Sequence, residues 1–146
     1  MATETYSWYF VRHAEKNAEK VDPQLSEAGH QRAQLLAEML AESSIKAIYA
    51  TAYQRTQQTA APLAQQLQLG VQTYAAGEPE QLLEQLQQAQ QTSLIVGHSN
   101  TIPALVRLAG GQAEDLTEQQ YGDLFILQLT DGTVISQRHQ RVESQQ

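Results

Sequence analysis

The run Trp8-Tyr9-Phe10-Val11, followed directly by Arg12-His13-Ala14-Glu15-Lys16, constrains this chain most, because strand-forming residues stop abruptly in a cluster of ionisable ones. Tyr6, Trp8, Tyr9, Phe10 and Val11 are aromatic or β-branched and carry no 3.6-residue period, which reads as a buried strand. Packing alone does not call for a guanidinium, an imidazole, a carboxylate and an ammonium directly after it. In open α/β sheets ligands bind beyond the carboxyl ends of the strands, so Arg12 and His13 are where chemistry is expected.

The rest of the chain alternates strand and helix signals. Asn17 to Gln24 is polar, contains Pro23 and reads as a loop able to lie over the site. Ser26 is a plausible cap for a helix to about Glu42, with Leu35, Leu36, Met39 and Leu40 as its apolar stripe. A short strand, Ile45 to Ala50, precedes a helix for which Thr51 is a possible cap; Thr51, Arg55 and Thr59 are four apart and share a face. Pro62 is expected to kink or break that helix, and Gly70 to end it. A third strand lies around Val71 to Tyr74, and Gly77-Glu78-Pro79 opens a Gln-rich helix to about Gln90. Ser93 to Val96 is a fourth strand, and Gly97-His98-Ser99-Asn100-Thr101 turns it into a helix with Pro103 in its first turn and Gly110-Gly111 at its end. Leu124 to Leu129 and Val134 to Arg138, joined by Asp131-Gly132, read as an antiparallel hairpin at the sheet edge.

These elements predict an α/β fold: a three-layer sandwich with a mainly parallel central sheet flanked by helices. The 146 residues suffice for one domain over 1–146, with a loose tail over about 140–146 and no linker or repeat. No apolar run approaches the roughly 20 residues of a membrane span, and the first residues lack a signal peptide's basic and apolar regions. The expectation is a cytoplasmic protein, or an exported one if a natural leader has been removed ahead of Met1. A net charge of -7 argues against nucleic-acid and anionic-membrane partners, so the few cations matter individually. Without cysteine there is no thiolate nucleophile and no zinc-thiolate site.

Arg12 and His13 after the first strand, Arg55 one turn into the next helix and His98 after the fourth strand converge at one end of such a sheet. Arginine presents a planar fork of donors that matches phosphate oxygens, and a helix N-terminus such as the one after His98 adds N–H groups. The predicted ligand is a tetrahedral dianion. A neutral imidazole can attack phosphorus in line while a second one hydrogen-bonds the equatorial oxygens. His13 is the better nucleophile candidate, because Arg12 beside it fixes the phosphate.

Val11-Arg12-His13-Ala14-Glu15-Lys16, Leu25-Ser26-Glu27-Ala28-Gly29, Arg55-Thr56-Gln57-Gln58-Thr59-Ala60 and Gly97-His98-Ser99 resemble, in order, the signatures of the histidine phosphatase (phosphoglycerate mutase-like) superfamily. The resemblance runs from about Tyr6 to Gly111. It implies a phosphohistidine on His13, a phosphoryl group held by Arg12, Arg55 and His98, and no metal or other cofactor. The chain looks like the short members, similar to bacterial phosphohistidine phosphatases, with little room for the segments that supply an acidic donor and a substrate lid in the mutases.

An alkoxide leaving group needs a proton donor, worth about 10²- to 10⁴-fold. Glu78 is the preferred candidate, since its loop should end at the crevice, with Glu15 and Glu80 as runners-up; each also has a purely structural reading. Lys16 and Ser99 are possible further phosphate contacts. Asn100 shares with Ser99 a reading as helix cap. Arg32 either braces the site or lies on a solvated helix face, while His30, His139, Arg107, Arg138 and Arg141 read as surface residues. Tyr121 and Asp123 are weaker candidates for lining the crevice. The leading reading is a metal-independent phosphatase acting on a phosphorylated small molecule or phosphoprotein through phospho-His13. Its rivals are a non-catalytic phosphate-binding module and a metal-dependent hydrolase.

Overall fold

The computed structural model describes residues 5–18 and 21–143. Along the chain run β1 (Thr5–Arg12), α1 (Glu27–Leu40), β2 (Ala47–Ala50), α2 (Gln54–Leu67), β3 (Val71–Thr73), α3 (Pro79–Ala89), β4 (Ser93–Gly97), α4 (Ile102–Leu108), β5 (Asp123–Thr130) and β6 (Thr133–Arg141). The strands form one mixed sheet in the order β3-β2-β4-β1-β5-β6. β3, β2, β4 and β1 are mutually parallel, and β5 and β6 are antiparallel.

Alternation along β1 decides the layers, since successive side chains of a strand point to opposite faces. Trp8 and Phe10 join one core with Leu82, Leu83 and Leu86 of α3 and Ile102, Leu105 and Val106 of α4. Tyr9 and Val11 join the other with Leu36, Ala37 and Leu40 of α1 and Ala60, Leu63 and Ala64 of α2. Helices therefore cover both faces, as the alternating signals predicted. Among the described residues no helix is long and apolar enough to cross a membrane.

Some local expectations change. α2 runs on through Pro62. A proline costs a helix about 3 kcal/mol, but burying Leu63 and its neighbours against the sheet returns an amount of that order, about 1.5–3 kcal/mol for a leucine alone. Thr51 does not cap α2, whose cap position is Tyr53 without a side-chain hydrogen bond. Asp22 Oδ1 instead accepts from the Gln54 N–H at 2.8 Å, so the loop before α1 ties itself to the start of α2. The hairpin closes that side of the sheet as expected, with β6 outermost and β5 pairing with β1 from Thr5 opposite Thr130 to Val11 opposite Leu124.

The expected loose tail is also revised. Gln140 and Arg141 complete β6, and Val142 is buried, its N–H bonded to the Gly122 carbonyl at 2.7 Å. Its carbonyl accepts from Arg32 Nη1, which pins the chain against α1. The remainder of that tail, 144–146, lies outside the described residues.

Candidate active site

Sheet register brings the site together. Arg12 pairs with Gly97 across β1 and β4, and Ala50 pairs with Val96 across β2 and β4. The next residues are therefore neighbours: His13 follows Arg12, His98 follows Gly97, and Thr51 follows Ala50. The His13 N–H extends the ladder by donating to the Gly97 carbonyl at 2.8 Å. The connections after β1 and β4 leave on opposite faces, toward α1 and α4, which opens the crevice where open α/β sheets bind ligands.

The two imidazoles sit 5.5 Å apart between ring centres, and both are buried. His13 Nδ1 lies 2.8 Å from the Ala14 carbonyl oxygen. A carbonyl can only accept, so Nδ1 carries the proton and Nε2 is left with its lone pair. Burial, assisted by the charges of Arg12, His98 and Arg55 and partly offset by the Ala14 hydrogen bond, lowers the His13 pKa to about 3. The ring is a neutral base with Nε2 unprotonated.

Thr51 sets the tautomer of His98. The Thr56 hydroxyl lies 2.9 Å from the carbonyls of both Thr51 and Tyr53, so its single proton is given to one of them. It then accepts from the Thr51 hydroxyl at 2.8 Å, and Thr51 Oγ1 in turn accepts from His98 Nε2–H at 2.9 Å. Nδ1 of the neutral ring is thereby unprotonated. Burial and the charges of Arg55 and Arg12 lower the His98 pKa to about 4.

Each guanidinium rests on a tyrosine. Arg12 lies 4.0 Å above the Tyr121 ring, and Arg55 lies 4.6 Å from the Tyr53 ring. Tyr53 also packs edge-on against His98, with ring centres 5.2 Å apart. Arg12 is almost fully buried, and its Nη1 donates to the carbonyls of Glu118 at 3.0 Å and Gln120 at 2.7 Å, with Thr117 at 3.4 Å. Those acceptors hold a charge that would otherwise be costly to bury. Nε of Arg12 and Nε of Arg55 are buried without a hydrogen-bond partner, which leaves donors on both cations for an anion.

The turn carrying His13 is fastened on all sides. Ala14 N–H donates to Thr59 Oγ1 at 2.9 Å, and that hydroxyl donates to the Arg55 carbonyl one turn back at 2.7 Å. The Ser26 N–H donates to the Glu15 carbonyl at 2.9 Å, while Ser26 Oγ caps α1 by accepting from the Gly29 N–H at 3.1 Å. A Cβ on Gly29 would stand 2.0 Å from the Glu15 carbonyl oxygen, so only glycine lets α1 approach so closely.

The donor and contact candidates are distributed differently. Glu15 makes two hydrogen bonds to Arg32, at 2.8 and 2.9 Å, and Arg32 holds its carboxyl below the ordinary range. That pair settles Arg32 as a brace, since its other end holds Val142. Glu78 stands at the cap position of α3 and Glu80 in its first turn; among the described residues neither has a hydrogen bond or ion pair to Arg12, His13, Arg55 or His98. Lys16 is exposed and pairs through its backbone with Leu25. Ser99 is no cap: its hydroxyl donates to Glu118 Oε1 at 3.2 Å, and Thr101 takes the cap position of α4. The N–H groups of Thr101 and Ile102 turn back onto the His98 carbonyl, at 3.1 and 3.0 Å, and are not available to an anion.

Tyr53, Glu118 and the role of Thr51 in orienting His98 were missed from sequence. An exposed aromatic two residues before Arg55 was the available signal for Tyr53. Glu118 carried none, because its contacts lie 19 or more residues away in sequence.

The sequence pattern of the histidine phosphatase superfamily (branch 1) matches residues 8–76, the span that holds Arg12, His13 and Arg55. Over that span the chain is similar to the histidine phosphatase superfamily. The fold is shared with the protein histidine phosphatase SixA complexed with tungstate, at a TM-score of 0.75 and 17% identity over 90% of this chain and 95% of that one. It is shared with a mycobacterial glucosyl-3-phosphoglycerate phosphatase at 0.71 and 15%, over 94% and 98% of the two chains. An alpha-ribazole phosphatase from Shigella flexneri aligns at 0.67 and 17%, over 83% and 89%. No curated protein matches the chain in sequence. Among the described residues no three His, Cys, Asp or Glu side chains are grouped to hold a metal ion.

Proposed function

We propose that this histidine phosphatase transfers a phosphoryl group to His13 Nε2 and then to water, without a metal, acting on a small phosphate ester or a protein phosphohistidine. The observation that supports the reading is the hydrogen bond from His13 Nδ1 to the Ala14 carbonyl, which leaves Nε2 with the lone pair that a nucleophile needs. Arg12 and Arg55 supply the charge that a tetrahedral dianion requires, and they repel a cation from the same place. SixA, which shares the fold, holds tungstate, a tetrahedral oxyanion.

In the first step the His13 Nε2 lone pair forms the N–P bond as the ester P–O bond breaks, and the leaving oxygen departs with the electron pair and takes a proton. In the second, water attacks the phosphohistidine, the N–P bond returns its electrons to Nε2, and inorganic phosphate leaves. Arg12 and Arg55 hold the equatorial oxygens, whose charge is spread in the transition state. The arriving dianion raises the proton affinity of His98, whose unprotonated Nδ1 then takes a proton and adds a charged donor.

Glu78, the donor candidate read from sequence, is exposed at the cap position of α3. The deciding experiment is hydrolysis of 4-nitrophenyl phosphate in excess chelator, wild type beside His13→Ala. Turnover by the wild type alone, with phosphate trapped on His13 by rapid acid quench, is expected. Stoichiometric phosphate binding with no turnover in either protein would instead make the domain a phosphate-recognition module.

A further inference from the structure

The segment between α4 and β5 reaches the site through one carboxylate. Glu118 Oε1 accepts from the Ser99 hydroxyl at 3.2 Å, and Oε2 lies 3.7 Å from Arg12 Nη2. The backbone carbonyl of the same residue accepts from Arg12 Nη1 at 3.0 Å. Glu118 is thus anchored by its main chain to the buried guanidinium, while its side chain is 77% exposed and free to turn.

The geometry points to Glu118 as the carboxyl that protonates the leaving group and later takes a proton from the attacking water. The inference rests on the phosphatase reading above. His13 is buried and lies at the inner end of the site, so in-line attack drives the leaving group outward, to the solvent side where the Glu118 carboxylate stands. A phosphoryl group that takes Arg12 Nη2 and Ser99 displaces the carboxylate from both. The freed carboxyl group is then beside the departing oxygen. Glu15 has both oxygens committed to Arg32 and cannot serve in this way.

The proton balance closes over one turnover. The carboxylic acid gives its proton to the departing oxygen as the P–O bond breaks, and Glu118 becomes a carboxylate. That carboxylate removes a proton from water as water attacks the phosphohistidine, which restores the acid. Net, one water and one ester become one alcohol and one phosphate.

The test is a series of aryl phosphates from 4-nitrophenyl to 4-methoxyphenyl, with wild type, Glu118→Gln and Glu78→Gln, in excess chelator. Glutamine keeps an acceptor for Ser99 and removes the proton chemistry together with the charge paired with Arg12, a loss that falls equally on every ester. Glu118→Gln is expected to steepen the dependence of kcat/KM on leaving-group pKa, its loss on the methoxy ester exceeding that on the nitro ester by about tenfold or more. An equal loss on every ester would overturn the inference, because Glu118 would then act only by positioning Arg12. A selective loss in Glu78→Gln, with none in Glu118→Gln, would also overturn it. If the wild type turned over none of the esters, the phosphatase reading itself would fall, and this inference with it.

Discussion

His13 Nδ1 and the Ala14 carbonyl oxygen are 2.8 Å apart, and this contact between adjacent residues sets which nitrogen of the neutral ring keeps its lone pair. It costs no long-range packing to make. It requires only that the chain leave β1 in a turn held by Thr59 and Ser26.

Protonation of the buried histidines should limit stability at low pH. Burial lowers His13 to about 3 and His98 to about 4, from an ordinary 6.5. Between those values the unfolded chain binds protons that the folded chain refuses, so stability falls as pH drops below about 6.5. The melting temperature should decline from about pH 7.5 to about pH 5, and a His13→Asn/His98→Asn double variant should show a shallower decline. A slope unchanged in the double variant would contradict the assignment.

Thr51→Val should slow turnover by about tenfold without unfolding the protein, because it removes the acceptor that holds His98 Nε2–H. The loss should appear in kcat, with thermal stability shifted by about 1 kcal/mol or less beyond the lost hydrogen bonds. Tight retention of wild-type kcat would show that His98 is oriented by other contacts.

Tyr53→Leu should weaken oxyanion binding by roughly two- to fivefold, the equivalent of a cation–π contact of about 0.5–1 kcal/mol. The ring supports Arg55 on one side and His98 on the other. Titration with tungstate, read by tyrosine and tryptophan fluorescence, measures this directly; an unchanged dissociation constant would rule out the support role.

Gly29→Ala should destabilise the fold by about 1–3 kcal/mol, because its methyl would collide with the backbone oxygen of Glu15. Activity should fall as well, since relieving the clash moves the turn that carries His13. Arg32→Ala should cost a comparable amount, about 2 kcal/mol, by stranding the Glu15 carboxylate and the Val142 carbonyl. Urea midpoints of the two variants against the wild type test both; Gly29→Ala at wild-type stability would mean that α1 can shift without cost.

The amino-acid sequence by itself determined the order of the elements and which strands end in ionisable residues. Trp8 to Val11 and Leu94 to Val96 are short apolar runs closed by Arg12-His13 and Gly97-His98, and such signals are local, readable from side-chain type and period alone. Pro62 shows the limit of local propensity, since the packing of α2 on the sheet outweighed it. What surrounds the two histidines was decided only by the tertiary structure. Arg12 meets the carbonyls of Glu118 and Gln120 across more than 100 residues, Arg32 reaches Val142 across 110, and Thr51 reaches His98 across 47. Such partners leave no periodic trace along the chain, because strand order and register alone bring them within hydrogen-bonding reach.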